Sequence, residues 1–324
     1  MEFTFLGTSS GTPTKRRNVS GLALHGKMSK HWYMIDCGEA TQHQLLSTKY
    51  SVITLKAIFI THIHGDHCYG LPGILASASM AGREAPLTIV APQGVIDMVK
   101  AVQQTTQLWL DYELIYIAVE QQFQPLCFDD FIVEPVELSH RVPCYGYNFV
   151  ENNIEQRLDQ PKLKASGIKP GPLWGLLQKG QDVTSPTGLT LLAKDFLQAP
   201  RQPRAIFVAG DNDTPSLLNN ATVKPDVVIH EATYTEDIAA KVGKGPQHSY
   251  ARIVGEYAQS GAIKHLILTH FSARYGYDTE ESPSIADVEN EAKEYYKGNL
   301  FLANDFDRFE LNKKGELFLN HSEN

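Results

Sequence analysis

The 324-residue sequence lacks any apolar run approaching the ~18 residues that a helix needs to span a bilayer. It also lacks an excess of positive charge, because 29 Lys and Arg against 37 Asp and Glu give a formal net charge of −8. This acidity argues against a protein coated in basic charge for nonspecific nucleic-acid binding, although a local basic patch stays compatible with it. No internal repeat of the solenoid kind and no low-complexity stretch occurs.

Cysteine is scarce and scattered: the four residues Cys37, Cys68, Cys127 and Cys144 form no C-x-x-C pair. They predict reduced, buried thiols rather than a disulfide framework. The first residues, Met1–Gly7, show no basic segment followed by an apolar stretch, so no secretory signal is expected. Together these absences predict a cytoplasmic protein with neither a membrane nor DNA as a partner.

One stretch, Thr61–His67, is unusually rich in metal-binding residue types. It directly follows Ala57–Ile60, a short apolar run with β-branched and aromatic residues that predicts a buried strand. A helix is predicted over Leu71–Met80. The stretch is therefore expected to form the loop at the C-terminal end of a strand.

The chemistry of this loop rests on His62, His64, Asp66 and His67. Neutral imidazoles and a carboxylate suit Zn²⁺ or a similar first-row ion. Since no single ion needs four such side chains so close together, we predict two adjacent metals, with His62 and His64 on one and Asp66 and His67 on the other. The alternative is a polar loop that happens to be rich in histidine.

Several other apolar strands end in the same residue types. His140 follows Val136–Leu138, Asp211 follows Ala205–Ala209, His230 follows Val227–Ile229, and His270 follows Leu266–Leu268. Independent structural histidines have no reason to share this placement, so we expect the strands to deliver ligands to one edge of the fold. A lone strand-end histidine is more often structural, but the His62–His64 pair needs a third ligand, which favours His140.

Asp36 also lies at a strand end, after Trp32–Ile35. We predict that it hydrogen-bonds a ligand histidine and fixes its tautomer. The alternative is an aspartate that only caps its loop.

The most basic short run comprises Lys15, Arg16 and Arg17, followed by Asn18. It follows a turn rich in Gly, Ser, Thr and Pro, and it has two interpretations. A phosphate clamp at the rim of the site is one, and an ordinary solvated loop is the other.

The regular pattern breaks down from about Glu151 to Pro200. This segment carries Lys162, Lys164 and Lys169, and then the sharp turn signal of Gly171 and Pro172. We predict an insertion that projects from the core as a short helical hairpin with a Gly/Pro-rich tip. Basic residues around apolar ones suit contact with a nucleic acid or a partner, whereas the alternative is a variable surface excursion.

The order of the elements predicts the fold class. Strands, then helices, then strands again indicate an α/β sandwich rather than a helical bundle. Because both halves of the chain carry strands and ligands, two sheets facing each other fit the pattern. The polar tail from Asn312 is expected to be partly disordered.

Taken together, His62-x-His64-x-Asp66-His67, His140, Asp211 and His270 resemble the metallo-β-lactamase superfamily. The resemblance implies a four-layer αβ/βα sandwich of two mixed β-sheets with a two-metal site at one edge. Many chemistries occur on this fold, so the fold alone does not give a function.

A narrower resemblance is to the tRNase Z (ribonuclease Z) family. The matching segments are Phe5–Ser9, Pro13–Asn18, Asp36–Gln42, His230–Thr233, His248–Ser249, His270–Tyr275 and Ala303–Phe306. Two departures concern neighbours of site residues: Asn212 stands where the family usually has Thr, and Tyr250 where it often has Thr. The resemblance covers almost the whole chain.

This resemblance implies a zinc-dependent endoribonuclease. Such an enzyme cleaves the 3′ trailer from precursor tRNA next to the discriminator base by attack of a metal-activated hydroxide, and it leaves a 3′-OH on the tRNA. The implied ligands are His62, His64 and His140 for one Zn²⁺, Asp66, His67 and His270 for the other, and Asp211 as the bridge. Mn²⁺ or Fe²⁺ suits the same donors.

The resemblance also implies further roles. Asp66, His248 and Glu231 are the expected catalytic residues, with His248 as the general acid and Glu231 orienting it. Asp36 and His230 are expected to form hydrogen bonds that hold the ligands in place. The alternative for His230 is a core histidine whose hydrogen bonds are satisfied away from the ligands.

The same resemblance assigns contacts with the RNA. They are expected from Lys15, Arg16, Arg17, Asn18, Lys169, Gly171, Pro172 and Arg274. The inserted arm, 151–200 within a single 1–324 catalytic domain, is expected to bind tRNA across a homodimer.

Two other functional classes remain at this point. A small-molecule hydrolase of the same fold, of the phosphodiesterase, arylsulfatase, lactonase or thioesterase type, keeps every metal ligand but has no use for the basic loop or the arm. A noncatalytic RNA-binding protein is disfavoured because the ligand set is complete.

Overall fold

The computed structural model describes residues 1–26, 29–122, 124–152, 154, 156–185, 188–277 and 282–320. The chain divides into two compact units. The core unit consists of Met1–Val150 and Arg204–Asn324, and the arm unit consists of Glu151–Pro203.

The strands of the described chain are short and mostly buried. The first ten are β1 (Glu2–Gly7), β2 (Ser9–Ser10), β3 (Gly21–His25), β4 (Trp32–Cys37), β5 (Leu55–Phe59), β6 (Leu87–Ala91), β7 (Leu114–Ala118), β8 (Leu126–Cys127), β9 (Phe131–Leu138) and β10 (Cys144–Glu151). The others are β11 (Val183–Thr184), β12 (Thr190–Leu191), β13 (Ala205–Val208), β14 (Val227–Glu231), β15 (His265–Thr269), β16 (Phe271–Ser272), β17 (Asn299–Leu302), β18 (Arg308–Leu311) and β19 (Leu317–Asn320).

The helices lie between the strands. They are α1 (Thr41–Leu46), α2 (Gly65–Cys68), α3 (Leu71–Met80), α4 (Gln93–Thr106), α5 (Gln160–Ala165), α6 (Pro172–Gln178), α7 (Ala193–Phe196), α8 (Glu236–Val242), α9 (Ala251–Ser260) and α10 (Ile285–Tyr295), with 3₁₀ turns at Val119–Gln121 and Pro215–Asn220. The predicted helix over Leu71–Met80 is confirmed, and the predicted metal-binding loop contains the one-turn helix α2.

The first sheet has eight strands in the order β19-β18-β1-β3-β4-β5-β6-β7. From β4 to β7 the neighbours are parallel, whereas the other pairs are antiparallel. Parallel neighbours need crossover connections, and the helices α1 to α4 supply them. Consequently the C-terminal ends of β4 and β5, which carry Asp36 and precede His62, lie at the same edge.

The second sheet has seven strands in the order β17-β15-β14-β13-β10-β9-β8. Its strands β13, β14, β15 and β17 are parallel, so the strand ends that precede Asp211 and His270 and the end of β14 that carries Glu231 again share one edge. Two hydrogen bonds join β10 to the end of β5 in the first sheet: Tyr145 N–H donates to the Thr61 carbonyl (3.0 Å) and the Tyr147 hydroxyl to the Ile60 carbonyl (2.7 Å).

The core lies in three apolar layers. Inward-facing residues of both sheets, such as Phe5, Phe59 and Phe149, form the central one. A second cluster packs α3 and α4 on the first sheet, and a third packs α9 and α10 on the second. The order helix, sheet, sheet, helix confirms the predicted four-layer sandwich of two mixed sheets.

The arm unit has its own small core. Leu163 of α5, Leu177 of α6 and Phe196 of α7 are buried together, and β11 pairs with β12 beside them. The apolar residues after Pro172 are only partly exposed, because α6 turns Leu177 inward and leaves Leu176 39% exposed.

One sequence prediction is wrong, and another is tested only in part. Of the polar tail, expected to be partly disordered, the stretch up to Asn320 contains β19, which pairs with β18 at the edge of the first sheet, while residues 321–324 lie outside the described residues. Cys127, predicted to be buried, is exposed on the edge strand β8, whereas Cys37, Cys68 and Cys144 are buried.

Among the helices of the described residues, none combines the length and the apolar character that a membrane-spanning helix needs.

Candidate metal centre

The first group of donor atoms combines three histidines with one carboxylate oxygen. Nε2 of His62 lies 3.0 Å from Nδ1 of His64, and that Nδ1 lies 3.2 Å from Nε2 of His140. Oδ2 of Asp211 is 3.6 Å from Nε2 of His62 and 3.8 Å from Nε2 of His140. The loops after β5, β9 and β13 therefore bring three nitrogens and one oxygen to a common point.

The second group lies beside the first. Nε2 of His67 and Nε2 of His270 are 3.2 Å apart. Oδ2 of Asp66 is 3.5 Å from the first nitrogen and 3.4 Å from the second. Oδ1 of Asp211 is 3.4 Å from both nitrogens. Asp211 thus offers one oxygen to each group.

These donor sets fit divalent metal ions. Four ligands held at ~2.0–2.2 Å in a tetrahedron lie roughly 3.3–3.6 Å from one another. The donor separations given above, 3.0–3.8 Å, bracket that spacing. Nitrogen lone pairs that face each other at this distance repel unless a cation lies between them. A carboxylate that reaches both groups suits a bridge between two ions.

The second ring nitrogen of His140 and of His270 is engaged by the protein. Nδ1–H of His140 donates to the Gln247 carbonyl (3.0 Å), and Nδ1 of His270 contacts the Thr233 hydroxyl (3.0 Å). Because Thr233 in turn donates to Glu231, its oxygen accepts from His270. These contacts leave the lone pair on Nε2, the atom that faces the donor group.

Asp36, at the end of β4, engages the second ring nitrogen of His67. Its Oδ2 lies 2.7 Å from Nδ1 of His67, and its two oxygens accept from the backbone and hydroxyl of Thr61 at 2.8 and 3.0 Å. Thr61 also contacts Nδ1 of His62 (3.0 Å), so one aspartate orients ligands of both groups. Its φ of 59° turns the carboxylate back toward them.

The electrostatics of the two groups differ. Burial lowers the pKa of His62, His64 and His140, with further lowering of the first two by neighbouring histidines, so these rings are neutral and ready to coordinate. Burial also opposes a charge on His67, but Asp211, Asp36 and Asp66 outweigh it and raise its pKa well above the usual value. The carboxylates therefore create a place where a positive charge is strongly favoured.

His248 lies close enough to Asp211 and His270 to form a third candidate donor group with them, but its Nδ1 has a nearer partner in Glu231. Its Nδ1 lies 3.1 Å from both oxygens of the buried Glu231 carboxylate and 3.7 Å from Oδ2 of Asp211. Burial would lower the pKa of His248, but Glu231 and Asp211 raise it to about 9. The pair thus presents an oriented proton donor beside the metal centre.

His230, predicted to support a ligand or to be a core histidine, is fully buried and does not contact the donor atoms. Its Nδ1–H donates to the Glu231 carbonyl (2.8 Å), and its Nε2 faces the side-chain amide of Asn212 (3.1 Å).

The structure contradicts one predicted RNA contact, Arg17. Its side chain is buried, and its guanidinium donates to Thr8, Ala303 and Asn304. The basic run is therefore split, because Arg17 ties two parts of the core together while Lys15 and Arg16 are exposed.

The remaining predicted contacts are accessible. Asn18 is half-buried and donates to the Glu39 carbonyl (2.8 Å). Arg274 is exposed, with its guanidinium 5.5 Å from the centre of the Tyr234 ring, which lies 6.0 Å from the His248 ring. Lys169, Gly171 and Pro172 are exposed in the arm unit, at the turn from α5 to α6.

Several site residues were missed from the sequence. Gly11 N–H donates to Oδ2 of Asp66 (2.7 Å) from a turn at φ 68°, and Thr61 and Thr233 orient ligand rings. Both threonines lie next to or near predicted ligands in the sequence, which was the available signal. The contact from Gly11 spans 55 positions and had no signal of its own.

Comparison with known proteins agrees with this geometry. The chain is 52% identical over 317 residues to "Ribonuclease Z" of Marinobacter nauticus, covering 98% of each chain. It is 49% identical to "Ribonuclease Z" of Pseudomonas putida, covering 97% of this chain and 98% of that one. A family model described as "Anti-Pycsar protein Apyc1" matches residues 1–110.

Among solved structures, the human tRNase Z short form superposes with a TM-score of 0.64 at 24% identity, over 96% of this chain and 100% of that one. The metallo-β-lactamase fold protein YhfI from Bacillus subtilis gives a TM-score of 0.63 at 18% identity, over 95% and 98%. These likenesses identify the sandwich as a metallo-β-lactamase fold, which the resemblance implied. With the full-length identity to its curated relatives, the chain belongs to the ribonuclease Z family.

Proposed function

We propose that this chain removes the 3′ trailer from precursor tRNA by cutting next to the discriminator base and leaving a 3′-OH on the tRNA. The observation that supports this most is the metal centre flanked by the His248–Glu231 pair, in a chain 52% identical to a protein named ribonuclease Z. It is a metal-dependent phosphodiester hydrolase rather than a binding protein, because every predicted ligand lies in one of the donor groups.

We further propose that the resident metals are two Zn²⁺ ions, with Mn²⁺ or Fe²⁺ able to occupy the same nitrogen and oxygen donors. His62, His64 and His140 would hold one ion and Asp66, His67 and His270 the other, with Asp211 shared. When bound, such a pair lowers the pKa of water and neutralises charge on a phosphate.

The products define which bond breaks. For the tRNA to keep a 3′-hydroxyl, water must add to phosphorus while the bond from phosphorus to O3′ of the discriminator nucleotide breaks. The electron pair leaves with O3′, and the trailer keeps a 5′-phosphate. The leaving oxygen therefore needs one proton.

His248 is suited to give that proton. Glu231 engages Nδ1 through both of its oxygens, which directs Nε2 to the substrate and favours the protonated ring. Asp66, fixed by the Gly11 amide, and Asp36, fixed by Thr61, hold the neighbouring ligands in place during the reaction.

The substrate would be held by local positive charge on an acidic protein. The arm unit carries seven basic and five acidic residues, a net charge of +2, whereas the rest of the chain carries 22 and 32, a net charge of −10. Its exposed lysines, with Lys15, Arg16 and Arg274 of the core unit and the half-buried Asn18, could contact the RNA backbone. Backbone contact suits duplex RNA, whose grooves offer little readable sequence.

Two further parts of the proposal follow the family resemblance. We expect a homodimer in which the arm of one subunit, with Lys169, Gly171 and Pro172 at its turn, serves the site of the other, and we expect it in the cytoplasm. Light scattering during size exclusion should give twice the 36.1 kDa mass of one chain. A single-chain mass at micromolar concentration would contradict the homodimer.

The direct test is to incubate the purified protein with a 3′-extended precursor tRNA and to map both new ends. We expect a 3′-OH at the discriminator base and a 5′-phosphate on the trailer. His64→Ala should abolish the cut, whereas the matched variant His265→Ala, a buried histidine bonded to the Gly315 carbonyl away from the centre, should retain it. No cut by a preparation that carries metal and hydrolyses a generic phosphodiester would favour the small-molecule hydrolase instead.

A second test concerns the arm. Replacing Pro161–Lys194 by a short Gly/Ser linker should greatly reduce cleavage of precursor tRNA and leave hydrolysis of bis(p-nitrophenyl) phosphate within a few fold of the original rate. Equal loss on both substrates would contradict a substrate-binding role and indicate that the arm supports folding.

A further inference from the structure

Asn212, the residue after the bridging aspartate, lies at the junction of the loops that build the site. It is fully buried, and its backbone and side chain contact the loops that carry His140, Glu231 and His248. None of these contacts is with a donor atom of the metal centre. Asn212 therefore links the segments around the metal centre to one another.

The oxygen of the side-chain amide ties two loops together. Oδ1 accepts from the backbone N–H of Ser139 and of Thr214, each at 3.2 Å. Ser139 directly precedes the ligand His140, and its carbonyl accepts in return from Asp213 N–H (3.1 Å). The loop after β9 is thereby fixed to the loop after β13.

The nitrogen of the same amide faces His230. The N–H groups of Ser139 and Thr214 both need an acceptor, so the amide atom that faces them is the oxygen. The amide nitrogen Nδ2 therefore points to Nε2 of His230 at 3.1 Å. That nitrogen must accept, so the ring proton is on Nδ1, where it donates to the Glu231 carbonyl (2.8 Å). An amide of this length supplies an acceptor and a donor on separate atoms, which neither an aspartate nor an alanine can do.

The backbone of Asn212 completes the junction. Its N–H donates to Oε1 of Glu231 (2.7 Å), and its carbonyl accepts from the Ser249 hydroxyl (2.5 Å). Glu231 in turn contacts Nδ1 of His248. The peptide at this residue therefore sets the position of the carboxylate that orients His248.

We propose that Asn212 is a positioning residue, which holds Glu231, and through it His248, in register with the loop that carries His140 and with Asp211. Its catalytic consequence rests on the proposed function, whereas its structural consequence does not. Loss of the side chain releases the peptide from its two neighbouring loops, so the carboxylate loses a fixed donor and the His248 ring loses its fixed direction.

The first experiment reads the geometry without activity. The metal-free protein is labelled with ¹⁵N-histidine, and the imidazole N–H signals are assigned by single His→Gln variants. In Asn212→Ala we expect the downfield Nδ1–H signal of His248, which marks its bond to Glu231, to shift or broaden. The signal of His265, which contacts Gly315 and Asn299, should stay in place as an internal control.

The second experiment separates positioning from stability. On precursor tRNA we expect Asn212→Ala to lower kcat by about 10²-fold, the cost of a misplacement near 1 Å, with KM within about twofold. The matched variant Asn148→Ala also removes a fully buried asparagine, which lies on β10 and whose amide, among the described residues, donates to the Val223 carbonyl in the loop before β14. It should lower the thermal midpoint but leave kcat and the His248 signal unchanged.

Asn212→Asp keeps the test decisive if the alanine variant does not fold. It preserves shape and acceptor oxygens for Ser139 and Thr214 but cannot donate to His230 when ionised. We expect the His230 ring signals to move while the His248 signal remains, with kcat restored at least tenfold over the alanine variant.

The proposal is overturned if the His248 signal is unchanged in a folded Asn212→Ala, or if the His230 signals are unchanged in Asn212→Asp. It is also overturned if Asn148→Ala reproduces the loss in kcat. Should the wild-type protein fail to cut precursor tRNA, the proposed function fails, but the NMR comparison still decides the role of Asn212.

Discussion

The first sheet has a buried cluster of histidine and carboxylate at each end, and the two clusters behave differently. One end, which we call the catalytic end after the proposed function, lies where β4 and β5 finish and contains Asp36, His62 and His67 with their partners. The Glu2 end lies where β1 begins and β3 finishes, and Glu2 pairs there with His25 across the two strands. By composition alone either end could bind a metal.

At the Glu2 end the protein supplies its own cations. The Glu2 carboxylate lies 3.2 Å from Nζ of Lys49 and also contacts the Arg308 guanidinium and Nε2 of His25. Burial would raise the pKa of Glu2, but the hydrogen bonds from Arg308 and Lys49 lower it to about 2. The charge of this cluster is balanced before any ion arrives.

At the catalytic end, the negative charge of the carboxylates is not neutralised by basic side chains of the described residues. Among the described residues, no Lys or Arg forms an ion pair with Asp36, Asp66 or Asp211, and their ionic partners there are histidines. Four of the rings turn a lone pair toward the donor groups, since their other nitrogens are engaged by Asp36, Thr61, Thr233 or a backbone carbonyl; they are His62, His67, His140 and His270. The comparison teaches that orientation of the rings, rather than the presence of buried His and carboxylate, distinguishes a metal centre from a structural ion cluster.

The largest effect is expected from Asp211→Ala, which removes the carboxylate that offers one oxygen to each donor group. We expect loss of bound metal, measured by plasma mass spectrometry, and loss of detectable cleavage of precursor tRNA. The carboxylate at the other end provides the control, since Glu2→Gln should keep full metal content and cleavage. Retention of two metals by Asp211→Ala would contradict the claim that the catalytic end, unlike the Glu2 end, is a metal centre.

His248→Ala should come next, with turnover of precursor tRNA reduced roughly 10²–10⁴-fold because the leaving oxygen loses its proton donor. Metal content should match that of the wild type, since Nδ1 of His248 is engaged by Glu231 rather than by a donor group. A protein that loses metal on this substitution would make His248 a ligand.

Asp36→Asn tests whether the orientation of the histidine rings controls metal affinity. Asparagine tolerates the φ of 59° but has no second carboxylate oxygen to fix both Thr61 and His67. We expect metal affinity to fall roughly 10–100-fold, measured by competition with a chelator. An affinity equal to that of the wild type would show that the ligands orient themselves.

Glu2→Gln should have the smallest effect on function and a measurable one on stability. The folded pKa of Glu2 lies below the unfolded value, so its ion pairs stabilise the protein above pH ~4.5, and this stability is lost as the pH falls toward 2. The variant should melt a few degrees below the wild type at pH 7, as expected for a change of about 1–2 kcal/mol. The gap should narrow as the pH falls below 4, and a gap independent of pH would contradict the ion-pair account.

The sequence predicted well which side chains come together at the catalytic end, because the predicted ligands follow apolar strands, and the parallel strands among them finish at one edge. It predicted Arg17 poorly, because a run of basic residues gives no sign of which guanidinium turns inward to the Ala303 carbonyl, 286 positions away. The edge strand β19 was missed for a similar reason: its pairing with β18 depends on tertiary contact and not on a strong apolar pattern. The role of Asn212 depends on three loops that meet only in the folded chain.

The central claim, that only the catalytic end is a metal centre, is tested most directly by anomalous diffraction from crystals grown with zinc, recorded at the zinc edge. We expect two peaks ~3.5–4 Å apart, one among His62, His64 and His140 and one among Asp66, His67 and His270, with Asp211 between them, and no peak beside Glu2 and His25. A peak at the Glu2 end, or no peak at the catalytic end, would contradict the account.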